Sequence, residues 1–188
     1  MTFSKSIFLN LLDTNKEEAI DYFCKYDTIN IKYKYTFDEL FQNNKFAKHY
    51  IDNENVIINN DNSYKKIHFI CHYSTPEMIK YIIDKGVDLE AIDRHGMRPI
   101  HFICLKSIPE MIKYIIDKGI DLEAKTNFGW HPIHFICRYS TSEIIRYTIN
   151  KGVDLNCVDN ENKKPLDNLY KNSQVTPETI QYMIYRMA

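Results

Sequence analysis

Apolar residues along this chain fall into two alternating patterns, and the alternation keeps a fixed step. The run Arg98-Pro99-Ile100-His101-Phe102-Ile103-Cys104 is short, opened by Pro and almost wholly apolar. A few residues on comes Pro109-Glu110-Met111-Ile112-Lys113-Tyr114-Ile115-Ile116-Asp117-Lys118-Gly119, whose apolar residues keep helical spacing. In the earlier copy, Met78, Ile79, Ile82 and Ile83 fall on one stripe, and Lys80, Tyr81, Asp84 and Lys85 point elsewhere. The pair of segments occurs three times. His68, His101 and His134 stand 33 residues apart, as do Cys71, Cys104 and Cys137, and Gly86, Gly119 and Gly152. A fixed step of this size predicts a stack of like supersecondary units that share one core.

The repeats are placed at 60–92, 93–125, 126–158 and 159–188, the last serving as a C-terminal cap. Each reads as polar turn, short helix, turn, longer helix and Gly-containing loop. In the second repeat the helices are predicted from Ile100 to Lys106 and from Pro109 to Lys118. Thr75, Thr141 and Thr176 are expected to cap second helices, with Pro76 and Pro177 at N1, where a missing amide costs nothing. Ile108 stands at the same position in the second repeat and has no oxygen to offer an orphan amide. Gly86, Gly119 and Gly152 follow the second helices, where a left-handed residue closes the backbone. The pairs Lys80–Asp84 and Lys113–Asp117, four residues apart, predict a solvated outer face.

Residues 1–59 leave the register but keep helix signals. Thr14-Asn15-Lys16-Glu17 and Thr36-Phe37-Asp38-Glu39 both match the capping box. The segment reads as degenerate N-terminal helical repeats or cap, the alternative being a separate small domain. No Pro precedes Pro76 and no Gly/Ser-rich linker follows residue 59, which favours continuity.

Composition narrows the functions. The chain has 188 residues and a formal net charge of −1, and its Lys and Arg alternate with Asp and Glu. No nucleic-acid partner is expected from that pattern. No apolar run is long enough for a bilayer, so no membrane partner is expected either. The N-terminus lacks a signal-peptide pattern and three of the five Cys keep the register, so reduced core thiols and a cytoplasmic location are expected.

The repeated residues resemble the ankyrin repeat. Its 33-residue step is present, Pro99-Ile100-His101 and Pro132-Ile133-His134 look like the Pro-Leu-His of its Thr-Pro-Leu-His motif, and Gly119-Ile120-Asp121-Leu122 looks like its Gly-Ala-Asp-Val. The resemblance covers about 60–188 and is similar to the ankyrin proteins of large AT-biased DNA viruses of amoebae, with protozoan ankyrin proteins as the second source. It implies an all-α solenoid of stacked helix pairs with β-turn fingers. The sequence departs from the family at Lys65, Arg98, His131 and Lys164 in place of Thr, at Ile70, Ile103 and Ile136 in place of Ala, and at Asp167 in place of His.

His-x-x-Cys occurs three times and offers metal-ligand types one helical turn apart. Zinc gathers about four ligands within ~2.3 Å, whereas stacked helices lie ~8–10 Å apart, so successive pairs do not converge. No metal, no cofactor and no catalytic residue are expected; a Cys–His nucleophile would need a cleft and an oxyanion site as well. The resemblance instead implies a protein partner of a monomeric chain, held on finger tips and groove floor. The candidates are Tyr64, Arg94, Met97, Phe128 and Trp130 on the fingers, and Phe69, Tyr73, Phe102, Phe135, Arg138 and Tyr139 on the floor. Equivalent finger and first-helix positions vary most between repeats, and Trp, Tyr and Arg are the commonest hot spots. For Trp130 the alternative is packing onto the next finger near Lys163, and for Phe69, Phe102 and Phe135 it is partial burial between repeats. An adaptor that brings a target to a ubiquitin ligase through residues 1–59 is the other functional reading.

Overall fold

Among the described residues, every first helix but one begins at a Pro, and none is longer than 8 residues. In a computed structural model of the chain, which describes residues 66–188, these are α1 (Lys66–Tyr73), α3 (Pro99–Lys106), α5 (Pro132–Tyr139) and α7 (Pro165–Leu169). The second helices are α2 (Pro76–Asp84), α4 (Pro109–Asp117), α6 (Ser142–Asn150) and α8 (Pro177–Met187). The capping boxes at Thr14 and Thr36, the reading of 1–59 and Tyr64 lie outside the described residues, and so does the side chain of Phe69. Among the described residues all regular structure is helical. First helices pack on first helices in one row, and second helices on second helices in another. The solenoid is therefore all-α.

One continuous core runs along both rows. Ile70, Ile103 and Ile136 from the first helices and Ile79, Ile112 and Ile145 from the second are each at most 2% exposed. The repeated Ile thus fills the place where the family carries Ala. Cys71, Cys104 and Cys137 are fully buried beside them.

The His column fastens each first helix to backbone. The Arg98 amide donates to His101 Nδ1 at 2.8 Å, so Nε2 carries the proton and donates to the Ala124 carbonyl at 3.1 Å. His68 Nε2 makes the same bond to the Ala91 carbonyl at 2.9 Å. His134 Nδ1 accepts from the His131 amide at 3.1 Å, but its Nε2 reaches the Lys163 carbonyl in the next finger, at 3.3 Å. In the fourth repeat Asp167 takes over half the task, its Oδ2 accepting the Lys164 amide at 2.7 Å.

Burial holds the His101 and His134 imidazoles below their usual range. The unfolded chain then binds protons more readily, so these residues stabilise the fold fully above about pH 6.5, and that contribution is lost as pH falls from there through the folded-state values. The urea midpoint is expected to be lower at about pH 5 than at about pH 7.5. Equal midpoints would show that the rings already carry protons in the folded chain.

Capping follows the sequence only in part. Thr75 Oγ1 accepts the Met78 amide at 3.3 Å, and Ile108 makes no side-chain cap, as expected. Thr141 and Thr176 occupy the N-cap with extended backbone, yet neither hydroxyl accepts an amide; that of Thr176 pairs with the Thr179 hydroxyl at 3.3 Å. Gly86, Gly119 and Gly152 are left-handed with φ of 71°, 70° and 83°.

The outer face corrects the expected i,i+4 pairs. Asp84 is engaged by Tyr114 Oη and by Lys118 Nζ, the latter at 2.9 Å, both from the next repeat. Asp117 takes Tyr147 Oη at 2.5 Å and Lys151 Nζ at 2.7 Å. Asn150 continues the column with Tyr182 Oη and Arg186 Nη1. Each of these rings also lies between two cations: Lys80 and Lys118 for Tyr114, Lys113 and Lys151 for Tyr147, Arg146 and Arg186 for Tyr182. The pairs run between units because the aligned Tyr and Lys of the neighbour approach the carboxylate together. At the end of the stack Met183 is fully buried, while Ile184 is exposed rather than packed with it.

Candidate interaction surface

The finger turns are built by one residue each. Asp93 Oδ1 accepts the His95 and Met97 amides at 2.8 and 2.7 Å; Asp159 Oδ1 accepts those of Glu161 and Lys163 at 2.8 and 2.9 Å. Thr126 Oγ1 does the same for Phe128 and Trp130. Gly96 and Gly129 supply the left-handed residue, and Asn162 supplies it in the fourth finger with φ of 60°. Adjacent fingers are zipped. The Asn127 amide donates to the His95 carbonyl at 2.8 Å and its carboxamide to the Arg94 carbonyl at 3.0 Å; Asn160 repeats this toward Phe128 and Asn127.

This scaffold separates the sequence-predicted site residues into two groups. Phe128 is 63% exposed on its finger and Tyr139 is 42% exposed at the end of α5. Arg94 is exposed, and Tyr73, Met97 and Arg138 are half-buried. Phe102 and Phe135 follow the burial alternative and do not line an open groove. Phe102 is 1% exposed, its ring 5.5 Å from those of His68 and His72, and Phe135 is buried against His101 and Trp130. Their position at the start of each first helix turns them toward the preceding unit, which covers them.

Trp130 follows the packing alternative in large part. Its Nε1 donates to Asp159 Oδ2 at 3.1 Å, and its ring meets Phe135 edge-on at 4.9 Å and stacks near His134. Held this way, it is half-buried and ties two fingers together. Sequence reasoning missed Ile92 and Val158, 56% and 42% exposed at equivalent positions just before the second and fourth fingers. Tyr170, 61% exposed, was missed as well. Apolar residues two steps of the period apart, with Lys125 between them, were the available signal.

The thiols among the described residues are chemically inert. Burial pushes Cys71, Cys104 and Cys137 far above the usual thiol range, and Cys157 up to about 12. The nucleophile is the thiolate, which is therefore scarce at neutral pH. A thiol-reactive probe is expected to leave Cys71, Cys104 and Cys137 unlabelled in the folded chain and to label them in denaturant. Rapid labelling of any of the three without denaturant would contradict this environment. His131, 4% exposed, has its Nδ1 3.5 Å from Glu123 Oε2, and burial lowers its basicity.

The left-handed glycines, the His–backbone column and the zipped fingers are now joined by a direct comparison. A family model for three copies of the ankyrin repeat matches residues 38–126, and a single-repeat model matches 128–157. The chain belongs to the ankyrin-repeat family. The first match begins within the segment 1–59. No curated protein matches the chain. Ankyrin repeats generally mediate protein–protein interaction and are typically non-catalytic. No helix among the described residues is long and apolar enough to cross a membrane.

Proposed function

We propose that this ankyrin stack is a non-catalytic module that binds one face of a partner protein, as a monomer, across its finger tips and first-helix ends. The observation that carries this is where four of the seven large exposed apolar side chains among the described residues fall; the other three, Tyr170, Ile184 and Tyr185, lie in the last repeat. Ile92, Phe128, Tyr139 and Val158 sit at positions that differ between otherwise similar repeats, on backbone held by the finger zipper and the helix row. A rigid surface lowers the entropy cost of association. Tyr73, Arg94, Met97 and Arg138 complete the contact, and Trp130 offers the partner only its open edge. Tyr64, which stands at the repeat position of Met97 and Trp130, belongs to the same proposed contact; Phe69 stands at the position of the buried Phe102 and Phe135 and does not.

The family match from residue 38 supports the reading of 1–59 as partly degenerate repeats, with an adaptor that recruits a target to a ubiquitin ligase through that segment as the alternative. The Asn-, Ile-, Lys- and Tyr-rich composition fits a source among DNA viruses of amoebae, and the partner is then a host cytoplasmic protein. The test is affinity purification from the native cell, followed by calorimetry with the recovered partner. Phe128→Ala and Tyr139→Ala are each expected to weaken binding by about 2 kcal/mol, the loss typical of hot spots. Affinity unchanged in both variants would defeat the placement.

A further inference from the structure

The face that carries Phe128 also gathers positive charge. It comprises positions 92, 94, 95 and 97 on the fingers, 105 and 106 on the first helix, and their equivalents in the other repeats. Among the described residues it holds Arg94, Lys106, Lys125, Arg138, Lys163 and Lys171 against one carboxylate, Glu161, which Lys163 engages. The buried Asp93 and Asp159 are spent inside the finger turns on backbone amides. The whole chain has 24 Lys and Arg against 25 Asp and Glu, so the excess belongs to this face and not to composition. The balancing carboxylates lie in the loops after the second helices, where Glu90 beside this face engages Arg98 and Glu123 lies near His131, and in the outer Asp–Tyr–Lys column.

Cations and apolar side chains alternate here. Lys125 stands at the repeat position that Ile92 and Val158 occupy in the neighbouring units, and Arg138 precedes Tyr139. We infer that the segment recognised by this face is an acidic polypeptide with apolar side chains between its carboxylates. Its carboxylates meet Lys125, Arg138 and Lys171, and its apolar side chains cover Phe128 and Tyr139. A carboxylate with a guanidinium or ammonium makes a charge-assisted hydrogen bond, and Arg can make two in parallel. A single-stranded nucleic acid would satisfy the cations and find rings in Phe128 and Tyr139, but the aliphatic Ile92 and Val158 offer a base neither stacking nor pairing, whereas they suit the apolar side chains of a polypeptide. Opposite charge across an interface also raises the association rate and excludes basic competitors.

This inference rests on the proposed interaction surface, and its test separates the two. The full chain is titrated into labelled synthetic peptides of about 15 residues, long enough to cross several units, and followed by fluorescence anisotropy. One peptide alternates Glu or Asp with Phe or Leu, a second has Ser for every acid, and a third has Lys. Poly-dT of about 20 nucleotides is the nucleic-acid probe. The acidic peptide is expected to bind at least about 10-fold more tightly than the Ser peptide at low salt, with the advantage shrinking severalfold near 0.3 M salt. The double variant Lys125→Glu, Arg138→Glu should remove that advantage. Lys80→Glu with Arg146→Glu, an equal charge change on the outer face, should not. Circular dichroism checks that both variants fold. Equal binding of the acidic and Ser peptides, lost in Phe128→Ala, overturns the acidic partner and leaves the surface standing. Peptide binding indifferent to Phe128→Ala defeats the surface itself. Tighter binding of poly-dT or of the Lys peptide, or no peptide binding, overturns the inference.

Discussion

Replacing His101 by Ala is expected to cost about 3–5 kcal/mol of folding stability, read from urea unfolding. Two buried backbone groups lose their partner at once, the Arg98 amide and the Ala124 carbonyl. Each stranded group costs about 1–3 kcal/mol, and the lost ring leaves a cavity against Phe135 besides. The effect spreads because α3 stands between α1 and α5 in the row. In a stack, each unit is held mainly by its neighbours, so a weakened central unit loosens the units on both sides. His101→Asn is expected to recover part of the loss, since its side-chain oxygen can accept the Arg98 amide as Asp167 does for Lys164. A loss below about 1 kcal/mol in His101→Ala would mean that the two backbone groups find other partners, and the fastening role of the column would fall.

What the sequence shows of this molecule is what lies within one unit. The step of 33, the Pro starts and the left-handed glycines are local, and each appears in the structure at the expected residue. What it conceals lies between units. Asp84 and Lys80 look like partners on a single helix, yet Asp84 is taken by Tyr114 and Lys118, 30 and 34 residues away. The column could have been read by aligning Asp84, Asp117 and Asn150 with the Tyr and the Lys or Arg of the following repeat. Whether Phe102 and Phe135 face the groove or the neighbouring unit is hidden in the sequence, because the stripe of one short helix does not show which side the next helix covers. The basic face was hidden for a related reason. Lys and Arg alternate with acids along the chain, but fingers and first-helix ends collect the cations, while loops and outer helices collect the acids. Trp130 is the intermediate case: its alternative, packing onto the next finger, is the one its bond to Asp159 favours.

Gly129→Ala is expected to destabilise the chain by about 3 kcal/mol and to weaken partner binding, whereas Gly152→Ala costs about 1 kcal/mol and leaves binding alone. Both glycines are left-handed, with φ of 78° and 83°, so both substitutions carry the same backbone penalty. They differ in what a new Cβ would meet. At Gly152 nothing lies within 4 Å, but at Gly129 the Cβ would come within 2.7 Å of the Asn160 amide nitrogen and 2.6 Å of its Oδ1. Asn160 cannot yield cheaply, because its amide donates to the Phe128 carbonyl and its carboxamide to the Asn127 carbonyl. Opening that zipper frees the finger that presents Phe128 and strains the Trp130–Asp159 bond beside it. A finger that must be ordered on binding loses the advantage of a preformed surface. The comparison is made by urea unfolding and calorimetry on both variants. Equal losses of stability would show that backbone strain alone matters at Gly129. Unchanged affinity in Gly129→Ala would show that the partner does not read the finger tips.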